Sequence, residues 1–235
     1  LGKFIFYPGG VDIDNVDVNI LNSVLPRNPL LFAFSAATGD MRIIKNSNAL
    51  LNDARAYAKR LVGSDSPVVI TLRRNKVSTD PSRDNAESYI EIAQHLSKQY
   101  PVIIVPDTAD VPAGLDIGLP VAYEAALHLK LRSALYEVAA ANFCGSSGPA
   151  MLMMLNKECA FYVANLVTKR TGYEFWGNVW ATAGKYLKWL SLDPDGSASA
   201  RLEILKVAHN FFAPEDLHQV VDYHPLTIDK AERFL

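Results

Sequence analysis

A short run of glycine and serine at 145–148 stands between a strand-like stretch and an apolar run at 150–155. Serine is a favoured N-cap residue, and Pro149 suits the first position of a helix because its missing N–H would be unpaired there. The pattern predicts a strand, a turn and a helix whose first backbone N–H groups converge on the turn, as in sites that bind phosphate. The residues of this predicted anion site are Gly145, Ser146, Ser147 and Gly148.

Two arginines are predicted to face that turn. Arg73 comes directly after the apolar residues of the run 68–72, and Arg83 lies just before a helical pattern. A guanidinium group binds phosphate through two parallel hydrogen bonds, so we expect a diphosphate between these arginines and the turn. The alternative is that both arginines lie in surface loops beside local carboxylates, and that the turn is an ordinary helix start. Weaker candidates in the same basic loop are Arg74 and Lys76.

Two further polar residues complete the predicted ligand-contacting set. Asn85 begins the helical pattern that follows Arg83, and Asp107 follows the apolar run 102–105. In open α/β sheets, ligands bind beyond the carboxyl ends of the strands. We therefore expect Asn85 and Asp107 at the same edge of the sheet as the turn.

The chain alternates between apolar runs and helical patterns after the loop at 63–67. This alternation predicts an α/β fold, a Rossmann-like open and mostly parallel sheet with helices on both faces. The loop is the predicted boundary between an irregular and helical N-terminal segment, residues 1–63, and a Rossmann-like domain, residues 64–235. Strands are predicted at 68–72, 102–105, 120–123, 142–144 and 159–167, and helices at 46–61, 85–99, 132–141, 150–156 and 202–212.

Composition and missing motifs argue against several classes of function. The 235 residues are 49% hydrophobic, so a large core can form, and a net charge of -2 gives no basic footprint for nucleic acid. The chain lacks the G-x-G-x-x-G, G-x-x-x-x-G-K-[ST] and G-x-S-x-G patterns, which argues against dinucleotide cofactors, P-loop nucleotide hydrolysis and a serine nucleophile. No apolar run has the length to span a bilayer. The use of cysteine fits a reducing cytosol, so we expect a cytoplasmic protein, with peripheral membrane association left open.

The cysteines and histidines give no sign of a metal centre. Cys144 and Cys159 have no metal-ligand spacing to each other or to histidine, and two buried thiols are the expected outcome. No pair of the five histidines has metal-ligand spacing either. The predicted site therefore contains no metal and no bound cofactor.

The residues from Leu72-Arg73 through Gly145 to Met151 resemble the C-terminal half of a GT-B glycosyltransferase. The nearest likeness is to the heptosyltransferase-like group, whose pattern G-x-D-S-G-P is followed by a helix. The resemblance covers about residues 65–215. Ser146 stands where that group usually has Asp, which leaves backbone and hydroxyl contacts at this position but no carboxylate.

The resemblance implies a metal-independent transferase that takes a nucleoside-diphosphate sugar as its donor. The turn at 145–148 would hold the diphosphate or the donor sugar, and Arg73 would offset the charge that develops on the departing nucleoside diphosphate. The acceptor would be a glycan or another small molecule, in polysaccharide biosynthesis. The general base in such enzymes commonly comes from the N-terminal domain, so no catalytic residue is assigned.

Two other functions stay open at this point. One is a polysaccharide pyruvyltransferase-like or epimerase-like enzyme, which would need a catalytic histidine or acid near the strand ends. The other is a non-catalytic nucleotide- or sugar-binding protein, or a degenerate transferase, which Ser146 and the short N-terminal segment favour slightly. The chain begins at Leu1, immediately before a strand-like stretch, and we expect it to be part of a longer protein.

Overall fold

The computed structural model describes residues 44–74, 85–165, 191–192, 197–199 and 225–235. The predicted helix at 202–212, most of the segment 1–63, and the candidates Lys76 and Arg83 lie outside these ranges. In chain order the described elements are α1 (Asn48–Val62), β1 (Val68–Thr71), α2 (Ala86–Leu96), β2 (Val102–Val105), a 3-10 turn (Thr108–Asp110), α3 (Tyr123–Leu127), α4 (Leu129–Val138), β3 (Ala141–Gly145), α5 (Gly148–Met154), β4 (Phe161–Ala164), β5 (Ser191–Leu192), β6 (Ala198–Ser199) and α6 (Ile228–Phe234).

The described strands form one sheet in the order β2-β1-β3-β4-β6-β5. The first four are mutually parallel, whereas β6 runs antiparallel to β4 and β5 antiparallel to β6. Every residue of the four parallel strands is buried, as expected of a parallel sheet whose two faces are both covered. The predicted α/β fold with an open, mostly parallel sheet is confirmed.

Alternate strand residues face two separate hydrophobic clusters. Val69 and Ile103 pack in the cluster that contains α1, α3, α4 and α5, and Val68 and Ile70 pack in the cluster that contains α2 and α6. The connection from β1 to β2 therefore crosses one face, and the connection from β2 back past β1 to β3 crosses the other. Opposite faces are required because parallel crossovers are right-handed. The chain reverses its direction of travel across the sheet between β1 and β3, which is the topological switch point.

The predicted strand at 120–123 is wrong. This segment makes one isolated bridge, between Ile104 and Val121, and α3 begins at Tyr123. Two backbone hydrogen bonds hold it, from Ile104 N to Pro120 O at 2.9 Å and from Ala122 N to Ile104 O at 2.7 Å. Pro120 has no N–H with which to extend a ladder, so the pairing does not continue.

Helix α1 precedes the predicted domain boundary at residue 63, but it packs against the sheet that follows that boundary. It begins at the cap Ser47, ends at Gly63, and buries Ala54, Tyr57 and Ala58 against the first of the two clusters. The proposed division of the chain at residue 63 stays a prediction, because residues 1–43 are outside the described ranges. Within those ranges, no helix combines the length and the apolar character that crossing a bilayer would require.

Candidate functional site

The register of three neighbouring strands determines which loops meet. Thr71, the last residue of β1, pairs with Val105 of β2 and with Cys144 of β3. Two positions after these paired residues come Arg73, Asp107 and Ser146. These three residues therefore lie side by side at the carboxyl edge of the sheet. The Arg73 guanidinium Nη1 donates a hydrogen bond to the backbone carbonyl of Ser146. The structure thus brings Arg73 and the predicted turn together.

A cavity of about 210 Å³ opens at this meeting point. It lies beyond the carboxyl ends of β1, β2 and β3, and therefore at the topological switch point, where ligands of open α/β sheets bind. Six of the residues around it can form hydrogen bonds through their side chains, and a seventh is a glycine. These seven residues are Thr71, Arg73, Asp107, Thr108, Arg132, Ser147 and Gly148.

The turn differs in detail from the sequence prediction. Gly145 is the buried last residue of β3, Ser147 is the N-cap of α5, and Gly148 rather than Pro149 is the first helical residue. The Ser147 side chain makes no capping hydrogen bond, although it is of a type that caps well. A Cβ added at Gly148 would meet no atom within 4 Å. The turn therefore lines the cavity with a serine that makes no cap bond and with a glycine that has open space beside it.

Asn85 lies one step away from the cavity and fixes the backbone of Arg73. Its Oδ1 accepts a hydrogen bond from Arg73 N at 2.8 Å, and its own N–H donates to Arg73 O at 3.1 Å. Asn85 is the N-cap residue of α2, yet its side chain makes no capping bond to that helix. This reciprocal pair joins the two ends of the loop that separates Arg73 from α2. Asn85 is thus placed to hold Arg73, it is not among the described residues that line the cavity, and its predicted contact with a ligand stays a prediction.

Arg74 has a different environment from its neighbour. Its Nε lies 3.0 Å from Asp110 Oδ2, and its backbone N–H donates to Asp107 Oδ2 at 3.3 Å. The guanidinium is thus paired with a carboxylate of the 3-10 turn. Asp107 both lines the cavity and holds the backbone of Arg74 through this hydrogen bond.

Arg132 is the charged residue of the cavity lining that sequence reasoning missed. It projects from the first turns of α4, and its Nε and Nη2 donate hydrogen bonds to the carbonyls of Ala125 at 2.9 Å and Ala126 at 2.6 Å. A signal for it exists in the sequence, because a cation near a helix N-terminus is disfavoured by the helix dipole. An arginine in that position, ahead of an apolar helix pattern, has to gain its stability from another contact.

The side of the cavity next to the sheet is neutral. The Thr71 hydroxyl, which lines the cavity, is 2.9 Å from the hydroxyl of the fully buried Tyr136. Burial raises the pKa of the Tyr136 phenol, so the pair carries no charge near neutral pH. Burial also raises the pKa of the Cys144 and Cys159 thiols. Both cysteines are free and buried, which confirms that part of the sequence prediction.

Charge and size together limit what the cavity can hold. The described lining residues include two guanidinium groups and one carboxylate, so positive charge is in excess. Cavities for drug-sized ligands measure about 300–1,000 Å³, so the described space of about 210 Å³ is that of a smaller group. The described residues contain no group of three or more His, Cys, Asp or Glu side chains that could share a metal ion.

Comparisons of the chain with known protein families, with curated proteins and with solved structures find no match.

Proposed function

We propose that the cavity binds the diphosphate of a nucleoside-diphosphate sugar, and that the chain acts as the donor-binding half of a metal-independent glycosyltransferase of the GT-B type. The observation that carries the proposal is the contact between the Arg73 guanidinium and the backbone of Ser146 beside a cavity at the switch point. That position in an open α/β sheet is where nucleotide ligands bind. The excess of guanidinium groups over carboxylates is opposite in sign to the charge of a diphosphate.

Glycosyl transfer from such a donor breaks the bond between the sugar carbon and the diphosphate oxygen. The departing nucleoside diphosphate takes the electron pair, and negative charge grows on its terminal phosphate. The Arg73 guanidinium would offset that charge, and the backbone of Arg73 is already fixed by its hydrogen bond to Asn85. Preorganised charge at the leaving group is often the largest single contribution to catalysis. Asp107, as an acceptor in the same cavity, is suited to a sugar hydroxyl.

A second candidate is a protein that binds the same ligand without turning it over. One observation favours it. Among the described residues that line the cavity, the only carboxylate is that of Asp107, and it accepts a hydrogen bond from Arg74 N. A carboxylate engaged in holding a loop is a poor general base, so the described cavity offers binding groups but no evident base.

The two candidates predict the same binding and different turnover. We expect one of GDP, UDP or ADP to raise the melting temperature, because a ligand that binds the folded state stabilises it. Arg73→Ala should weaken that binding by about tenfold or more, since a hydrogen bond to a charged group contributes about 1.5–3 kcal/mol. Release of free nucleoside diphosphate from the matching sugar donor then indicates a transferase, and binding without release indicates the second candidate.

A matched control is available on α1. Arg55 is exposed and hydrogen bonded to Asn52 of its own helix, so Arg55→Ala removes an arginine that does not line the cavity. This variant should bind the nucleotide like the parent. Equal binding by the parent and by Arg73→Ala would refute the proposed site, as would the absence of binding to any nucleoside diphosphate.

A further inference from the structure

Arg132 is held in one orientation before any ligand arrives. Two of its N–H groups donate to consecutive carbonyls, those of Ala125 and Ala126, in the last turn of α3. A guanidinium has five N–H donors, so this anchoring leaves donors that can serve the cavity that Arg132 lines. The carbonyl end of a helix also carries partial negative charge, which favours a cation there. The side chain is therefore both fixed and charged.

The two cavity arginines come from separate elements. Arg73 follows β1 and bonds to the turn after β3, while Arg132 extends from α4 and bonds to α3. Each fixed guanidinium can bind one phosphate through two parallel hydrogen bonds. A single phosphate needs only the group formed by Arg73 and the turn. A second, linked phosphate gives the Arg132 guanidinium a partner of opposite charge in the same cavity.

We infer that Arg132 determines the number of phosphates the cavity accepts, by binding the second phosphate of a diphosphate. The inference rests on the proposed function, because it assigns the first phosphate to Arg73 and the turn. Thr71 and Tyr136 leave no negative charge on the sheet side of the cavity to compete with that second phosphate. Removal of the Arg132 charge should thus reduce the preference for diphosphate and leave monophosphate binding in place.

A purely structural role for Arg132 predicts something else. If Arg132 served only to cap α3, its loss would lower the melting temperature and would weaken the binding of every ligand to the same extent. Arg132→Lys keeps a positive charge but loses the planar fork that bonds two carbonyls and a phosphate at once. Arg132→Gln loses the charge and keeps hydrogen-bonding capacity. The two variants together separate charge, geometry and stability.

The test measures inorganic phosphate and inorganic pyrophosphate binding by calorimetry, with melting temperatures recorded for every variant. The parent should bind pyrophosphate at least about tenfold more tightly than phosphate, and Arg132→Gln should lose about tenfold in pyrophosphate affinity with phosphate affinity unchanged. The pyrophosphate affinity of Arg132→Lys should lie between those of the parent and Arg132→Gln. Arg73→Ala should lose the binding of both anions.

Four results would overturn the inference. A parent that binds phosphate and pyrophosphate equally would remove the selectivity but leave the anion site intact. An Arg132→Gln variant that weakens both ligands equally, or weakens neither, would return Arg132 to a structural role. A parent that binds neither anion would remove the proposed function itself, together with this inference.

Discussion

Two helix starts in this molecule contain serine at the N-cap and use it differently. At the start of α1, where no residue lines the cavity, the Ser47 side chain accepts a hydrogen bond from Leu50 N at 3.3 Å. At the start of α5, on the cavity edge, Ser147 is in the N-cap position but makes no such bond. The same residue type stabilises a helix in one place and faces a cavity in the other.

The same contrast recurs in a second pair of helices. Thr227 caps α6, on the other face of the sheet, by accepting from Lys230 N, whereas the Asn85 side chain at the start of α2 accepts instead from Arg73 N. Departures from the locally best arrangement are expected where a protein has a functional site. The comparison therefore supports the carboxyl edge of β1 and β3 as the site, and the α1 and α6 starts as stabilising structure.

The largest expected difference between the two regions concerns two glycines. Gly63 ends α1 with φ of 72°, a left-handed conformation, so Gly63→Ala should cost about 1 kcal/mol of unfolding free energy and leave anion binding unchanged. Gly148 lines the cavity without such a conformation, and an added Cβ meets open space. Gly148→Ala should keep the stability within about 0.5 kcal/mol.

The methyl group in Gly148→Ala should nevertheless narrow the cavity, and we expect pyrophosphate affinity to fall by about tenfold because a clash with a bound phosphate removes charged hydrogen bonds. Chemical denaturation and calorimetry on the two variants provide the comparison. The reverse pattern, in which Gly148→Ala destabilises and Gly63→Ala weakens binding, would contradict the division between the two regions.

The two serines give a smaller and equally specific difference. Ser47→Ala removes a capping bond and should cost about 1 kcal/mol in the free energy of unfolding. Ser147→Ala removes no capping bond and should cost less than about 0.5 kcal/mol, while it weakens pyrophosphate binding by a few-fold. Urea unfolding measures the free energy of unfolding, when both variants are fitted with the same dependence on urea concentration. Equal destabilisation by the two substitutions would show that Ser147 is an ordinary cap.

Much of the fold could be predicted from the sequence because its strands are buried on both faces. The run at 102–105 is apolar throughout, and the structure has β2 at the same residues. Alternation of such runs with helical patterns was sufficient for the parallel sheet and for the edge where Arg73 meets the turn. The pattern did not reveal α3, which has five residues, or the two-residue strands β5 and β6, because such short elements show no periodicity.

The candidate site was only partly predictable, for a geometric reason. Arg73, Asp107 and the turn follow strands directly, so strand order alone brings them together. Arg132 reaches the cavity from a helix, and its orientation depends on carbonyls at the end of α3, an element absent from the sequence prediction. The roles of Asn85 and Arg74 depend likewise on contacts between loops, which no local pattern encodes. Arg83 lies outside the described residues, and its role stays a prediction.

The most direct test of the central claim is to locate the bound anion by amide NMR. Isotope-labelled protein would be titrated with inorganic pyrophosphate, and the backbone N–H signals followed residue by residue. We predict saturable shifts that are largest at Arg73, Ser147 and Gly148, with Leu50 and Gly63 of the α1 region unmoved. Saturable shifts confined to other residues, or none at the turn when the anion is bound, would contradict a phosphate site between Arg73 and the start of α5.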